Sequence, residues 1–172
     1  MKALVVVDYQ NDFVNGSLGF EGAELLEPII VGKIEEYRKK GGRIIFTFDT
    51  HGEDYLETAE GRKLPVKHCI DGTEGHDLYG KVAECLWEDD IVITKGTFGS
   101  LELANLLKNM KFEEVELCGL VTDICVVSNA VIAKAALPES RIVVDSKACA
   151  SFDRSAHEAA LKVLKSVQVD VI

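Results

Sequence analysis

Six short runs of apolar residues, rich in Val and Ile, recur along the chain. Within each run the apolar character is nearly continuous rather than alternating, which is typical of strands buried on both faces of a parallel sheet. The six predicted strands cover residues 3–7, 43–48, 91–94, 115–119, 141–144 and 167–171.

Between most of these strands the apolar positions follow a helical period. The predicted helices cover residues 23–40, 100–108, 123–136 and 154–165. Gly41 and Gly42 follow the first helix and Pro138 follows the third, which are ordinary helix stop signals. Strands separated by helices predict an α/β fold: an open six-stranded, mostly parallel sheet sandwiched by helices in a Rossmann-like three-layer arrangement.

One stretch, residues 50–89, departs from this pattern. It is long and polar, and only a short helix near residues 78–86 is expected in it. Long excursions from a compact domain are usually functional or mobile. We therefore expect this stretch to contribute to a site.

The size of the chain favours one domain over residues 1–172. Its 172 residues are 47% hydrophobic, enough for a sizeable core. After Met1 and Lys2 only five apolar residues precede Asp8, fewer than a secretory signal needs, and no apolar run approaches the roughly 20 residues that cross a bilayer. These features predict a cytoplasmic protein with no membrane partner.

The net charge limits the possible binding partners, and the number and spacing of the cysteines indicate whether they form disulfides. A net charge of -10 without a basic cluster argues against binding nucleic acid or anionic lipid. The five cysteines are an odd number without CxxC spacing, which favours reduced thiols over disulfides.

Polar and reactive residues follow four of the predicted strands. Asp8 follows the first, Asp49 and His51 follow the second, Lys95 follows the third, and residues 119–125 follow the fourth. In open parallel sheets the ligand crevice lies beyond the carboxyl ends of the strands. The sequence therefore predicts a site at this edge.

Three of these residues form a set suited to nucleophilic catalysis. Cys125 is predicted in the opening turn of a helix, where the pKa of a thiol falls and free backbone N–H groups can hold an oxyanion. Asp8 would accept the thiol proton, and Lys95 would stabilise charge and lower the pKa of Asp8. Taken singly, each residue also has a structural explanation: a turn former, a solvated loop charge and a small buried hydrophobe.

A second set offers metal ligands. Asp49, His51 and His68 supply a carboxylate and two imidazoles, and Glu60 would add a fourth ligand. The alternative is a polar loop with exposed histidines. Glu57 and Cys69 compete as ligands.

The other two histidines, His76 and His157, are interpreted as surface residues.

Several ordered segments carry a resemblance to a known family. They are VVDYQNDFVNGSL at 6–18, FDTH at 48–51, LPVKHCIDGTEG at 64–75, TKGTFG at 94–99 and CGLVTDICV at 118–126. Together they resemble the isochorismatase-like cysteine hydrolases, and among these the nicotinamidases, over nearly the whole chain.

The resemblance implies a role for each residue of the catalytic set. Asp8 would be the base, Lys95 its cationic partner and Cys125 the nucleophile. The peptide before Val121 would be cis, and the N–H groups of Val121 and Cys125 would form the oxyanion hole. The implied reaction converts nicotinamide to nicotinate and ammonia through a thioester.

The resemblance also implies a cofactor and a substrate pocket. One divalent metal ion, zinc foremost and iron or manganese otherwise, would be held by the four ligands above and would bind the pyridine nitrogen. Phe13 and Phe98 would flank the ring. Some nicotinamidases carry a Trp just before the last metal His, whereas this chain has LPVK at 64–67. Related enzymes are often oligomers, so a homo-oligomer is expected.

Other functions fit part of the pattern. A metal-independent amidohydrolase acting on a carbamoyl or ureido amide would keep the catalytic set but not need the metal ligands. A true isochorismatase would not need Cys125, and a degenerate structural relative would use none of these residues. A receiver-like phosphoacceptor module, with Asp49 as acceptor, would leave residues 50–89 and Cys125 unexplained.

Overall fold

The computed structural model describes all 172 residues and contains one six-stranded sheet in which every strand pair is parallel. The strands are β1 Lys2–Val7, β2 Arg43–Asp49, β3 Ile91–Lys95, β4 Glu114–Leu120, β5 Arg141–Ala150 and β6 Asp170–Val171. Their order across the sheet is β3-β2-β1-β4-β5-β6. The predicted open parallel α/β sheet is confirmed.

Six α-helices cover the sheet. They are α1 Asn11–Val14, α2 Glu27–Lys39, α3 Gly80–Glu84, α4 Leu101–Met110, α5 Val127–Ala136 and α6 Arg154–Ser166. Short 3-10 turns at Ala23–Leu26, Tyr55–Glu57 and Glu74–His76 connect them, and a π-helical turn at Thr122–Val126 leads into α5. None of these helices is both long and apolar enough to cross a membrane.

The strands β1, β2 and β4 are buried on both faces, which explains their continuous apolar runs. Side chains alternate along a strand, so Val5 of β1 packs in one core cluster and Leu4 in the other. The first cluster includes Leu103 of α4, Ala130 of α5 and other residues of those helices and α6. The second includes Ile30 of α2. The sheet is thus the middle of three layers.

The structure corrects several predicted boundaries. The fifth strand extends to Ala150 rather than residue 144, past a register shift in β4 between Leu117 and Gly119 and through polar residues that hid its continuation. The last strand is only Asp170–Val171, because Gln168 has a positive φ of 64° that breaks extended backbone.

The order of the strands places a crevice between β1 and β4. The chain adds β2 and β3 on one side of β1 and then crosses to place β4 on the other. At such a reversal, helices diverge from the carboxyl ends of the strands and leave room for a ligand. The ends of β1 to β4 carry the residues that the sequence singled out.

Gly119 allows β1 and β4 to approach closely at this point. It pairs with Val7, has a φ of 113°, and a Cβ atom there would lie 2.1 Å from the Val7 carbonyl oxygen. Only glycine fits this position without a shift of the backbone.

Candidate active site

Asp8 lies directly after β1 at the base of the crevice. It is fully buried and has a positive φ of 44°, so the chain turns sharply where the strand ends. Its Oδ1 accepts a hydrogen bond of 2.7 Å from the Thr47 hydroxyl, and its backbone N–H donates to the Thr47 carbonyl at 3.1 Å. Both contacts fix the carboxylate against β2.

Lys95, the last residue of β3, lies between Asp8 and Cys125. Its Nζ is 2.7 Å from Asp8 Oδ2 and 3.5 Å from Cys125 Sγ, and it donates to the Thr97 carbonyl at 3.0 Å. Lys95 is only 6% exposed, so it is not a solvated loop charge. The structure brings the three residues of the predicted catalytic set together.

The segment that carries Cys125 is not an uninterrupted α-helix. The peptide between Leu120 and Val121 is cis, as the resemblance implies. The N–H of Val126 then bonds to the Val121 carbonyl at 3.1 Å, a five-residue spacing that makes residues 122–126 a π-helical turn. Regular α5 begins only at Val127, so the helix predicted from residue 123 begins later.

Burial reverses the predicted pKa shift of the nucleophile. The buried environment raises the pKa of Cys125 well above its usual value, and the Asp8 carboxylate raises it further, while Lys95 only partly offsets them. The expectation of a thiol acidified by a helix N-terminus is therefore wrong. Cys125 is a thiol at neutral pH and needs a nearby base.

Asp8 has the properties of that base. Burial raises its pKa and outweighs the effect of Lys95, which lowers the pKa as predicted. Oδ2 pairs with the ammonium but accepts no well-aligned hydrogen bond. Burial disfavours the charge of Lys95, but the attraction of the Asp8 and Asp49 carboxylates outweighs burial and raises its pKa, so Lys95 keeps its charge.

The predicted metal ligands form a second cluster beside the first. Ligand atoms of Asp49, His51, Glu60 and His68 all lie within 4.8 Å of one another. Asp49 Oδ2 is 2.9 Å from His51 Nε2 and 3.3 Å from His68 Nε2, and Glu60 Oε1 is 3.7 Å from His68 Nε2. Both histidines are buried, so the exposed-loop alternative is wrong.

The cluster is suited to a divalent cation. His68 Nδ1 contacts the Val66 carbonyl at 2.8 Å, which leaves Nε2 directed at Asp49 and Glu60. In metal sites, a hydrogen bond made by the ring nitrogen that does not bind the metal orients the histidine ligand. Two imidazoles with two carboxylates form a donor set for zinc, iron or manganese.

The carboxylates of the cluster respond differently to burial. Burial raises the pKa of Glu60, and the charge of Asp49 raises it further. Asp49 is also buried, but hydrogen bonds with His51 and His68, together with the charge of Lys95, lower its pKa. Asp49 is therefore ionised at neutral pH. The competing acidic residue, Glu57, is exposed and outside the cluster.

Three residues that the sequence analysis did not single out hold this site in place. Gln10 is fully buried, and its amide exchanges two hydrogen bonds with the Asp49 backbone, at 2.8 and 2.9 Å. Tyr55 packs its ring 4.7 Å from the His51 ring and 4.9 Å from the His68 ring, measured between centroids. Thr47 bonds to the base, and its position as a polar residue within an apolar strand is a signal that could have identified it.

Two histidines interpreted as surface residues are half-buried and paired. His76 Nε2 lies 2.8 Å from the Thr50 hydroxyl, and its ring packs near Phe48. His157 Nδ1 lies 2.8 Å from the hydroxyl of Thr122 in the π-helical turn. Both side chains remain partly exposed, and each also contacts a hydroxyl of a residue distant in sequence.

The two predicted substrate-contacting aromatic residues differ in their surroundings. Phe13, on α1, is buried, and its ring centroid lies 5.6 Å from that of His68. Phe98, in the loop after β3, is 43% exposed.

Comparison with known proteins identifies the family. The isochorismatase domain family model matches residues 2–172. A Bacillus subtilis relative, the uncharacterized isochorismatase family protein PncA, is 36% identical over 93% of this chain and 92% of its own length. The chain belongs to the isochorismatase family.

Solved structures define the class more closely. The nicotinamidase/pyrazinamidase PncA from Bacillus subtilis matches with a TM-score of 0.88 at 34% identity, covering 99% of this chain and 98% of that one. The pyrazinamidase of Pyrococcus horikoshii, solved in complex with zinc, matches with a TM-score of 0.87 at 27% identity and the same coverage. The chain is an amidohydrolase of this family, which excludes the receiver-like module.

One structural neighbour has a different stated activity. The N-carbamoylsarcosine amidase from Thermoplasma acidophilum matches with a TM-score of 0.82 at 24% identity, covering 99% of this chain and 94% of that one. At this identity the likeness concerns the fold alone.

Proposed function

We propose that this amidohydrolase converts nicotinamide to nicotinate and ammonia, with Cys125 as nucleophile, Asp8 as proton carrier and Lys95 as the cation between them. The observation that carries the proposal is the placement of Lys95 Nζ, 3.5 Å from Cys125 Sγ and 3.2 Å from the metal-site residue Asp49. A nucleophile and a site for a ring nitrogen thus share one crevice.

The first half of the reaction forms a thioester. The thiol proton of Cys125 passes to Asp8 Oδ2 as the sulfur attacks the amide carbon. The C–N bond then breaks, and Asp8 returns the proton to the leaving nitrogen, which departs as ammonia. The raised pKa of Asp8 suits the first transfer, because a more basic carboxylate accepts the thiol proton more readily than an ordinary one.

The second half hydrolyses the thioester. Asp8 takes a proton from water as the water oxygen attacks the acyl carbon. The C–S bond breaks, the proton passes from Asp8 to the sulfur, and nicotinic acid leaves and loses its carboxyl proton to solvent to become nicotinate. Asp8 is ionised and Cys125 is a thiol again, so the cycle closes.

Two further groups stabilise charge during these steps. The backbone N–H groups of Val121 and Cys125 form the oxyanion hole in this proposal, at the π-helical turn that follows β4. Lys95 remains protonated throughout and stabilises the ionised form of Asp8.

Asp49, His51, Glu60 and His68 would hold one divalent ion, with zinc preferred over iron or manganese. When bound, the ion supplies a Lewis acid that binds the pyridine nitrogen and orients the carboxamide toward Cys125. The zinc complex of the Pyrococcus horikoshii pyrazinamidase supports this choice of metal. Phe13 and Phe98 would flank the ring.

A metal-independent amidase acting on a carbamoyl or ureido amide is the main rival. Such an enzyme would need Asp8, Lys95 and Cys125, but it would have no use for a buried cluster of two imidazoles and two carboxylates. The cluster of potential ligands within 4.8 Å of one another therefore favours the pyridine amide.

An ammonia-release assay separates these functions. Zinc-loaded protein is supplied with nicotinamide, pyrazinamide and N-carbamoylsarcosine in parallel, with Cys125→Ala as the inactive variant and Cys85→Ala as the matched control. Cys85 is a half-buried thiol outside the site. Ammonia from nicotinamide with wild type and Cys85→Ala, but not Cys125→Ala, is expected. Release from the carbamoyl substrate alone would overturn the substrate assignment.

A further inference from the structure

The side chain of Asn129 connects the nucleophile to the loop beside Lys95. Asn129 is fully buried on α5, one helical turn after Cys125. Its Nδ2 donates to the Cys125 carbonyl at 2.8 Å and to the Phe98 carbonyl at 3.0 Å, while its Oδ1 accepts from the Ser100 N–H at 3.0 Å. Every hydrogen bond of this amide therefore goes to backbone.

The loop that receives two of these bonds also contacts the catalytic ammonium. We call residues 96–100, between β3 and α4, the Lys95 loop. Lys95 Nζ donates to the Thr97 carbonyl at 3.0 Å, and the next carbonyl, that of Phe98, accepts from Asn129. Two adjacent carbonyls of this loop therefore accept hydrogen bonds, one from Lys95 and one from Asn129. Asn129 also bonds to the Cys125 carbonyl.

From this geometry we infer that Asn129 is a positioning residue that sets the distance between Cys125 and Lys95. The inference rests on the proposed function, since it concerns the same nucleophile and cation. The two functional atoms are 3.5 Å apart but belong to different elements. Without the Asn129 amide, the Phe98 carbonyl and the Ser100 N–H lose their side-chain partner, and the Lys95 loop is free to move away from the π-helical turn that carries Cys125.

Two substitutions of Asn129 separate its hydrogen bond to Cys125 from its hydrogen bonds to the Lys95 loop. Asn129→Ala removes all three hydrogen bonds. Asn129→Ser retains one, because a serine hydroxyl in a helix bonds to the carbonyl four residues earlier. The adjacent Ser128 already does so, donating to the Ile124 carbonyl at 2.6 Å. Asn129→Ser therefore keeps the bond to Cys125 but cannot reach the Lys95 loop.

Ser128→Ala is the matched control. It removes one hydrogen bond from the same turn of α5, to a carbonyl one residue before Cys125, without changing the contacts of the Lys95 loop. A loss of activity caused by general loosening of this turn would occur in Ser128→Ala as well.

The test makes two measurements. The first is kcat and KM for nicotinamide. The second is the rate at which iodoacetamide alkylates Cys125, followed by peptide mass spectrometry with Cys85 as internal reference. Because small misplacements of reacting groups are costly, Asn129→Ala and Asn129→Ser should each lower kcat by about tenfold or more with KM changed less than about threefold. The alkylation rate should fall in parallel. Ser128→Ala should remain within about twofold of wild type in both measurements.

Three results would overturn the inference: a wild-type kcat in Asn129→Ala, restoration of kcat by Asn129→Ser, or an equal loss in Ser128→Ala. If wild type released no ammonia from any amide, the proposed function would fail instead. The alkylation rates would still show whether Asn129 controls the reactivity of Cys125.

Discussion

The Asp49 carboxylate lies 3.2 Å from the Lys95 ammonium, with both side chains almost completely removed from solvent. Its other oxygen faces His51 and His68. One carboxylate therefore contributes to the catalytic cluster and to the candidate metal site at once. This arrangement follows from parallel pairing, because Asp49 and Lys95 are register partners at the ends of β2 and β3.

The metal site can be tested through its fourth ligand. We expect Glu60→Gln to lower bound zinc after dialysis, because it removes one of two anionic ligands, and to lower the rate of ammonia release from nicotinamide. Loss of a residue that only orients a metal ligand typically weakens binding by about 10- to 100-fold, so loss of a ligand should cost about tenfold or more in affinity. Elemental analysis with competitive chelator titration measures it.

Glu57→Gln is the control for that substitution. Glu57 is three residues away and exposed, and the same change of charge there should leave zinc affinity unchanged. Equal zinc loss in both variants, or none in Glu60→Gln, would remove Glu60 from the site.

The pH dependence of the reaction tests the role of Asp8. The base must be ionised, so kcat/KM should fall as the pH drops through the pKa of Asp8, and burial places that acid limb above the ordinary aspartate range. Thr47 donates a hydrogen bond of 2.7 Å to Asp8 Oδ1, which stabilises the ionised form. Thr47→Val should therefore raise the pKa and move the acid limb to higher pH.

Thr94→Val provides the comparison for this shift. Thr94 lies on the neighbouring strand with an exposed side chain and makes no hydrogen bond to Asp8. Its pH profile should match that of wild type. An acid limb that stays in place, or moves to lower pH, in Thr47→Val would argue against Asp8 as the base.

A pair of glycines tests the packing that forms the crevice. Gly119→Ala should destabilise the protein by more than about 3 kcal/mol, since it combines backbone strain at positive φ with a clash in a packed interior. The added Cβ would lie 2.1 Å from the Val7 carbonyl oxygen. Denaturant unfolding measures the change in the free energy of unfolding.

Gly32→Ala should act in the opposite direction. Gly32 lies on an exposed face of α2, where an added Cβ meets nothing within 4 Å. Alanine is favoured over glycine in helices by about 1 kcal/mol, so the melting temperature should rise by roughly 2 to 4 °C. Similar effects from the two substitutions would contradict the structural account of Gly119.

The sequence predicted most of the fold, because burial on both faces makes the central strands β1, β2 and β4 recognisable apolar runs. It did not predict the length of β5, where Asp145, Ser146 and Lys147 interrupt the pattern while the strand continues. Nor did it predict the π-helical turn at Thr122–Val126, since residues 122–136 have an ordinary helical composition. The continuation of β5 depends on its pairing with β4, where Cys149 and Ala150 pair with Gly119 and Leu120.

The residues of the site were easier to predict than their electrostatics. Asp8, Lys95 and Cys125 stand at strand ends and were selected for that reason. The direction of the Cys125 pKa shift was predicted wrongly, because position near a helix N-terminus is visible in sequence but depth of burial is not. Asn129 was not singled out for a related reason: its partner Phe98 is 31 residues away.

The most direct test of the proposed mechanism is detection of the thioester. Zinc-loaded wild type is mixed with nicotinamide, quenched in acid within milliseconds to seconds, digested and analysed by mass spectrometry. The mechanism predicts a nicotinoyl group on the peptide that contains Cys125, absent in Asp8→Asn and lost from wild type as nicotinate appears. Steady release of ammonia by Cys125→Ala, or a nicotinoyl group on another cysteine alone, would contradict it.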